Sequence, residues 1–428
     1  MPAPGVALSG VAIIGAGQGG YQAAASLRES GFDGRIVLIG DEDCLPYQRP
    51  PLSKSYLAGE SPLAELWLRP RAFYDKERIE YRAGERVTAI DRAGGSLRLA
   101  SGSEIRCERI VLATGARCRP LPVPGADLDG VLALRTLADT DLLRERLSAA
   151  RQVVVVGAGF IGLEFASVAR AAGVGVAIVE LTQRPMGRVV SAAVSRFYAE
   201  AHRGWGAELL LGTGIARILG EKGRAVAVET SDGRRLPADL VLVCVGVIPN
   251  GELAAEAGLA VADGIVVNPA LATADPAVLA IGDCANFPTR FAPPGQNKSG
   301  PEAHGRVRLE SVQNCVDQAR AVATGLTGKP AAYDKVPWFW SDQGDLKLQI
   351  AGLVIGHDRA VLRGDPESGA FSVFCYREER LIGVESVNRP LDHVAARRLL
   401  LGEARLTPEE AADPSFDLKA RAAGRPAR

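Results

Sequence analysis

Two short apolar runs in this chain end the same way. Val11-Ala-Ile-Ile leads into Gly15-Ala-Gly17-Gln-Gly-Gly20, and Val153-Val-Val-Val leads into Gly157-Ala-Gly159-Phe-Ile-Gly162. Short β-branched runs of this kind read as strands. Each is followed by a stretch with helical spacing, 21–30 in one copy and 163–172 in the other, and then by a second strand at 36–39 or 174–179. Strand, glycine turn, helix and strand in that order form a dinucleotide-binding βαβ unit. The first glycine permits the tight turn, the second lets a pyrophosphate approach the backbone, and the third lets helix and strand pack closely. The helix N-terminus then offers unpaired N–H groups to the phosphates. Two copies in one chain point to a flavin nucleotide and a nicotinamide nucleotide.

Three more apolar runs end at glycine: Arg109-Ile-Val-Leu-Ala-Thr-Gly115, Asp239-Leu-Val-Leu-Val-Cys-Val-Gly246 and Val278-Leu-Ala-Ile-Gly-Asp283. The first two would return the chain from one domain to the other, and the Asp283 carboxylate could bond a ribityl hydroxyl. The C-terminal region predicts strands at 347–353, 371–376 and 381–387, then a helix at about 392–401. The last dozen residues read as a frayed end. Residues 288–305, rich in Pro, Gly and polar side chains, read as a long loop.

The second copy's final strand ends in Glu180, 23 residues after Gly157. A carboxylate there accepts both ribose hydroxyls and repels a 2′-phosphate, which favours NADH. Arg184 and Arg188 lie just downstream and could receive a phosphate instead. In the first copy the strand runs into Gly40-Asp41-Glu42, so Asp41 or Glu42 is the expected ribose ligand.

Composition narrows the setting. Hydrophobic residues make up 47% and charged residues 23% of the 428, and 50 Lys+Arg balance 50 Asp+Glu. That is ordinary for a globular protein, with no bulk pull toward nucleic acid or an anionic membrane. No apolar run approaches the length of a bilayer span. The start of the chain lacks the features of a secretory signal. The seven cysteines are scattered, with no CxxC and no pair spaced like a zinc or dithiol site, so no metal is expected and a reducing, cytoplasmic setting is.

With these residues in view, the chain resembles the two-dinucleotide flavoprotein reductases of the glutathione-reductase structural class. Within that class it is similar to the oxygenase-coupled NADH–ferredoxin reductases, both putidaredoxin-reductase-like and biphenyl-dioxygenase-reductase-like. The resemblance rests on Arg49-Pro-Pro-Leu-Ser-Lys54, Leu112-Ala-Thr-Gly115, Leu134-Arg-Thr-Leu137, Gly157–Glu164, Ala280-Ile-Gly-Asp283, Glu310-Ser-Val312 and Pro337-Trp-Phe-Trp-Ser-Asp-Gln343. It implies an α/β fold with two Rossmann-like domains and a C-terminal α+β domain. Residues 1–114 and 247–330 would bind FAD, 115–246 would bind NAD, and 331–428 would cover the flavin.

It also implies residue roles. Gly15, Gly17, Gly19, Asp41, Arg49, Lys54, Val87, Arg135, Asp283 and Val312 would line FAD, with Lys54 near flavin N5 as a cation for the reduced form. Gly157, Gly159, Ile161, Gly162, Glu164 and Glu180 would bind NAD, Glu164 at the nicotinamide carboxamide. Gly20, Ala113, Thr114 and Gly246 complete the cofactor-binding set. Trp340 would flank the isoalloxazine, while its neighbours Trp338 and Phe339 can serve as core. Lys54, Glu164 and Trp340 are the residues expected nearest the chemistry.

The class divides by its second redox centre, and no dithiol is present. A C-terminal His–Glu dyad is also unsupported, because His393 lacks the context. Cys44, in Cys44-Leu-Pro-Tyr47, suggests a single-cysteine NADH oxidase or coenzyme A-disulfide reductase, but it follows Asp41 too closely for that family. A flavin without a thiol passes electrons out directly, so the implied reaction is hydride transfer from NADH to FAD and single-electron transfers to a 2Fe–2S ferredoxin. That ferredoxin would supply a haem-thiolate monooxygenase or a Rieske-type oxygenase. An acidic ferredoxin implies a basic dock, with Arg69, Arg308, Arg320 and Lys347 as candidates. The 288–305 loop could be a partner-recognition flap or a tolerated insertion. An apoptosis-inducing-factor-like interaction flavoprotein is the non-enzyme alternative, disfavoured by the neutral charge and plain N-terminus. The oligomeric state, monomer or homodimer, is left open.

Overall fold

The computed structural model describes residues 10–293, 305–402 and 404–424. They divide into two compact units. The first comprises the described residues up to Gln48, then Leu66–Arg117 and Ile248–Pro337; the second comprises Arg49–Glu65, Cys118–Val247 and the chain from Trp338 onward.

At the centre of the first unit is a five-stranded parallel sheet in the order Val278–Ala280, Arg109–Leu112, Gly10–Ile14, Arg35–Ile39, Ile79–Arg82. Gly10–Ile14 is in the middle, paired on both edges, and its residues are buried on both faces of the sheet. That is the reason its sequence is apolar without alternation. The helix Gln18–Glu29 begins directly after the glycine turn and buries Ala23, Ala24, Ala25 and Leu27. The helix Val312–Leu326 comes so close to it that a Cβ on Gly19 would lie 3.4 Å from that of Cys315. A three-stranded antiparallel sheet, Val87–Asp91, Ser96–Leu99 and Glu104–Arg106, belongs to the same unit.

The second unit repeats the design. Its parallel sheet runs Glu208–Leu211, Gly175–Glu180, Gln152–Val156, Leu240–Val243, Val131–Ala133. The helix Phe160–Ala171 follows the glycine turn. An antiparallel sheet of Ile215–Glu221, Arg224–Thr230 and Arg235–Pro237 packs its apolar side chains with the parallel sheet, Ile218 and Val228 against Val154 and Val241. The C-terminal part is a five-stranded antiparallel sheet in the order Trp338–Gln343, Leu346–Gly352, Arg380–Val387, Ala370–Arg377, Arg359–Asp365, with the helix Pro390–Leu401 behind it.

Both helices that follow the glycine turns start three residues before the sequence pattern suggests, at Gln18 and Phe160. The periodicity first shows at Tyr21 and Leu163, but the backbone turns helical as soon as the second glycine is passed. Gly20 and Gly162 therefore sit within the first helical turn. The three expected C-terminal strands and the helix stand within two residues of their expected positions, while Trp338–Gln343 and Arg359–Asp365 are additional strands that the sequence pattern does not predict. Part of the expected 288–305 loop and the end of the frayed tail lie outside the described residues.

Candidate functional site

Steric demand explains the first glycine turn. Gly15 has φ +105°, and a Cβ there would sit 2.2 Å from the Ala113 carbonyl oxygen; one on Gly20 would sit 1.8 Å from the Gly15 carbonyl. Gly17 differs, because a Cβ there would meet nothing within 4 Å. Its helix has no side-chain cap, so the first-turn N–H groups face that open space without a side-chain acceptor. Uncapped donors beside a gap at the second glycine fit a pyrophosphate. Ala113 N–H donates to the Ile14 carbonyl at 2.8 Å, and Thr114 Oγ1 donates to the Asn250 carbonyl at 2.6 Å, which fixes the loop against Gly15.

Past the adjacent strand, Asp41 is exposed, whereas Glu42 accepts a hydrogen bond from the Tyr47 hydroxyl at 2.6 Å. The Gly282–Asp283 turn rests on the start of the helix Val312–Leu326. There Gly282 N–H donates to Gln318 Oε1 at 2.7 Å, and Ser311 caps the helix by accepting from Asn314 N–H. Gly19, Asp283 and Val312 are thereby drawn to one place. Val87 is buried in its small antiparallel sheet opposite Leu99.

The second turn obeys the same rules. Gly157 has φ +102°, and its Cβ would lie 2.4 Å from the Cys244 carbonyl oxygen; that of Gly162 would lie 2.3 Å from the Gly157 carbonyl. Gly159 again has nothing within 4 Å and caps its helix without a side-chain bond. Glu180 reaches back to this turn: Oε2 accepts from Ala158 N–H at 2.8 Å, and Oε1 accepts from Thr182 N–H at 2.8 Å. Arg184 turns away from a phosphate role, since it donates to the Val190 and Gly187 carbonyls at 2.7 Å each. Arg188 is exposed, with its guanidinium 3.8 Å from where a Gly246 Cβ would be.

A buried polar cluster lies one helical turn from Gly159. Glu164 is 4% exposed and collects three donors: Lys54 Nζ at 2.7 Å and Ser53 Oγ at 2.5 Å on Oε2, and Ser341 Oγ at 2.7 Å on Oε1. Lys54 Nζ also donates to the Pro50 carbonyl at 3.2 Å. Pro50 and Pro51 open the short 3-10 helix Pro50–Ser53, which brings Ser53 and Lys54 round to the same carboxylate. In the strand Trp338–Gln343, alternate side chains take opposite faces. Phe339 stacks on Phe160 with ring centres 4.5 Å apart and Ser341 bonds Glu164, both on the helix Phe160–Ala171. Gln343, next on that face, is 2.9 Å from His202 Nε2. Trp338 and Trp340 take the other face, 5.5 Å apart, with Arg397 4.8 Å over Trp338.

Ser53, Ser341, Gln343 and His202 were not singled out from sequence. Three of them stand inside the quoted stretches 49–54 and 337–343, and the period-2 pattern of Trp338–Gln343 is the signal that groups Ser341 with Phe339 rather than with Trp340. A small cavity of about 50 Å³ beside the cluster is lined by Arg49, Leu52, Ser53, Leu134, Arg135 and Ile161. It joins three expected residues from three segments, and an Arg49 guanidinium N–H donates to the Arg135 carbonyl.

The expected docking cations divide. Arg69 and Lys347 are exposed, and Arg320 is 61% exposed. Arg308 is a correction: its side chain is only 10% exposed and is committed to Asp263 at 3.0 Å and Glu310 at 2.6 Å, so it is not available as a surface cation. None of the seven cysteines is joined in a disulfide. His393 is buried against Trp338, with neither ring nitrogen hydrogen-bonded, and burial together with Arg397 pushes its pKa down to about 4.

Residues 9–319 match the pyridine nucleotide-disulphide oxidoreductase family, and residues 338–422 match the reductase C-terminal family. Rhodocoxin reductase of Rhodococcus erythropolis is 49% identical over 409 residues, covering 96% of this chain and 93% of that protein. Putidaredoxin reductase CamA of Pseudomonas putida is 39% identical over 415 residues, with 96% of both chains covered. Among solved structures, the ferredoxin reductase for the CYP199A2 system from Rhodopseudomonas palustris has a TM-score of 0.92 at 50% identity, covering 97% of this chain and 100% of that one. Two glycine cradles on parallel sheets, followed by the antiparallel C-terminal sheet, account for both matches: the chain belongs to the pyridine nucleotide-disulphide oxidoreductase family and carries the reductase C-terminal domain.

Proposed function

We propose that the protein is an FAD-containing NADH:ferredoxin oxidoreductase that supplies electrons to a haem-thiolate monooxygenase or a Rieske-type oxygenase through a 2Fe–2S ferredoxin. The observation that carries this reading is the near-full-length similarity, C-terminal domain included, to reductases named for such electron carriers. Bound FAD supplies the conversion of one hydride into two single-electron transfers. The chain's own residues bind, orient and shield.

In this reading the turn Gly15–Gly20 receives the FAD pyrophosphate and Gly157–Gly162 that of NADH. Glu180 takes the adenosine ribose, and Arg184, spent on loop carbonyls, leaves a 2′-phosphate without that partner. Lys54 would place its ammonium beside bound FAD, where a cation would stabilise negative charge. Glu164 acts first on Lys54, and three of its roughly four acceptor positions are taken, which leaves about one for a carboxamide. No side chain need act as general acid or base. Exposed Arg69, Arg320 and Lys347 serve as basic docking residues. Among the described residues no helix is long and apolar enough to cross a membrane, and we place the protein in the cytoplasm.

The test is NADH-driven cytochrome c reduction by the purified yellow protein, with and without a 2Fe–2S ferredoxin. The reading expects strong ferredoxin dependence. Rapid NADH consumption that ignores ferredoxin and stops on thiol blocking would replace it with the Cys44 oxidase.

A further inference from the structure

The Lys54–Glu164 pair does not stand alone. Behind it runs a continuous hydrogen-bond chain through Ser341, Gln343 and His202. His202 Nε2 donates to Gln343 Oε1 at 2.9 Å, Gln343 Nε2 donates to Ser341 Oγ at 3.2 Å, and Ser341 Oγ donates to Glu164 Oε1 at 2.7 Å. Glu164 Oε2 then accepts from Lys54 at 2.7 Å. His202, Gln343 and Ser341 are fully buried, so no water competes for these bonds. The amide also touches Met186 Sδ at 3.8 Å.

The direction of the chain is fixed by chemistry. Gln343 Oε1 can only accept, so His202 carries its proton on Nε2. Burial lowers the His202 pKa, and its Nδ1 has no partner. Gln343 Nε2 can only donate, which turns the Ser341 hydroxyl proton toward the carboxylate. Every link therefore points at Glu164, and the side chain of Glu164 has two anchors: Ser53 beside the lysine and Ser341 from the C-terminal sheet.

We propose that Ser341, held by Gln343, is a positioning residue that sets the orientation of Lys54 through Glu164. The C-terminal domain thereby tunes the catalytic cation without touching it. This rests on the role given to Lys54 above. Without the Ser341 hydroxyl, Glu164 Oε1 loses its protein donor and the carboxylate can rotate about its bond to Ser53. The ammonium then no longer has one fixed position.

The test is a double-mutant cycle of Ser341→Ala with Lys54→Met, read on the holoprotein by NADH-driven ferricyanide reduction and by the flavin midpoint potential. In the wild-type background, S341A should lower kcat about tenfold, as expected for loss of one hydrogen bond to a charged group. It should leave KM for NADH within about twofold and move the potential to a more negative value. In the K54M background S341A should change neither quantity. Ser341→Thr, which keeps the hydroxyl on a strand that favours β-branching, should restore both. Gln343→Met should give the same pattern at smaller size, and it serves as the second variant if S341A does not fold. Equal losses in both backgrounds, or wild-type kcat and potential in S341A, would overturn the proposal. Ferricyanide needs no ferredoxin, so a protein that reduces ferricyanide but no ferredoxin would sink the functional reading and leave this inference standing.

Discussion

Single residues in the two turns do different jobs that look identical in a glycine motif. Gly15 and Gly157 are required by the protein's own backbone, since each has a left-handed φ and a carbonyl where a Cβ would go. Gly15→Ala should therefore destabilise the fold, on the order of 2 kcal/mol or more, seen as a drop in thermal unfolding temperature. Gly17 and Gly159 meet nothing within the protein. Gly17→Ala should unfold within about 0.5 kcal/mol of the parent while retaining far less FAD after gel filtration, because its methyl occupies space the protein does not use. Similar contrast separates Glu180 from Arg184. Glu180→Gln should lower the NADH-over-NADPH ratio of kcat/KM about tenfold by removing a charge that repels a 2′-phosphate. Arg184→Gln should leave that ratio unmoved, since its donors already serve Val190 and Gly187.

Elements of the C-terminal sheet carry two buried titratable groups that work against each other. Glu385, on the strand Arg380–Val387, accepts from Ser191 N–H at 2.8 Å, and burial raises its pKa to about 7. His393, on the helix Pro390–Leu401, is pushed down to about 4. Between roughly pH 4.5 and 7 the folded state holds a proton on Glu385 that the unfolded state has released, so this group lowers stability as pH rises. Between roughly pH 4 and 6.5 the unfolded state protonates His393 while the folded state does not, so this group raises stability as pH rises. Each contribution is on the order of 3 kcal/mol, and over the shared window they offset. Glu385→Gln should expose the histidine, giving stability that falls as pH drops from 6.5 toward 4. His393→Gln should do the reverse, with stability that rises as pH drops from 7 toward 4.5. Denaturant unfolding at a series of pH values checks both, and parallel curves for all three proteins would refute the pair. Neither group was legible as a titrating pair in the sequence, because their shifts come from burial that only the folded sheet creates.

At the scale of the whole molecule, net charge is zero, so partner attraction has to come from local cations. With Arg69, Arg320 and Lys347 each proposed as a docking cation, ferredoxin turnover should fall as salt rises from about 50 to about 300 mM while ferricyanide reduction stays level, since screening shortens electrostatic reach below about 10 Å. Charge reversal of the three should weaken ferredoxin turnover by raising KM and leave NADH oxidation with ferricyanide intact. Arg308, equally basic in the sequence, should have no docking effect, because Asp263 and Glu310 already neutralise it.

Local rules made much of this protein readable. Strand, glycine turn and helix are set by sterics and hydrogen bonding within some thirty residues, so both nucleotide units, their order and the carboxylate at Glu180 follow from the sequence itself. Three of the five C-terminal strands and the helix Pro390–Leu401 are readable for the same reason, as patterns of apolar positions, whereas Trp338–Gln343 and Arg359–Asp365 are not read as strands. Contacts across long separations are different. Glu164 meets Ser53 across 111 residues and Ser341 across 177, and no period in the sequence encodes which hydroxyl finds which carboxylate. That depends on the phase of the strand Trp338–Gln343, where a one-residue slip would exchange Ser341 for Trp340 on the face toward Glu164. Tertiary structure alone also decided that Arg308 is largely covered and paired, that Arg184 is spent on its own loop, and that Gly17 leaves a space while Gly15 fills one.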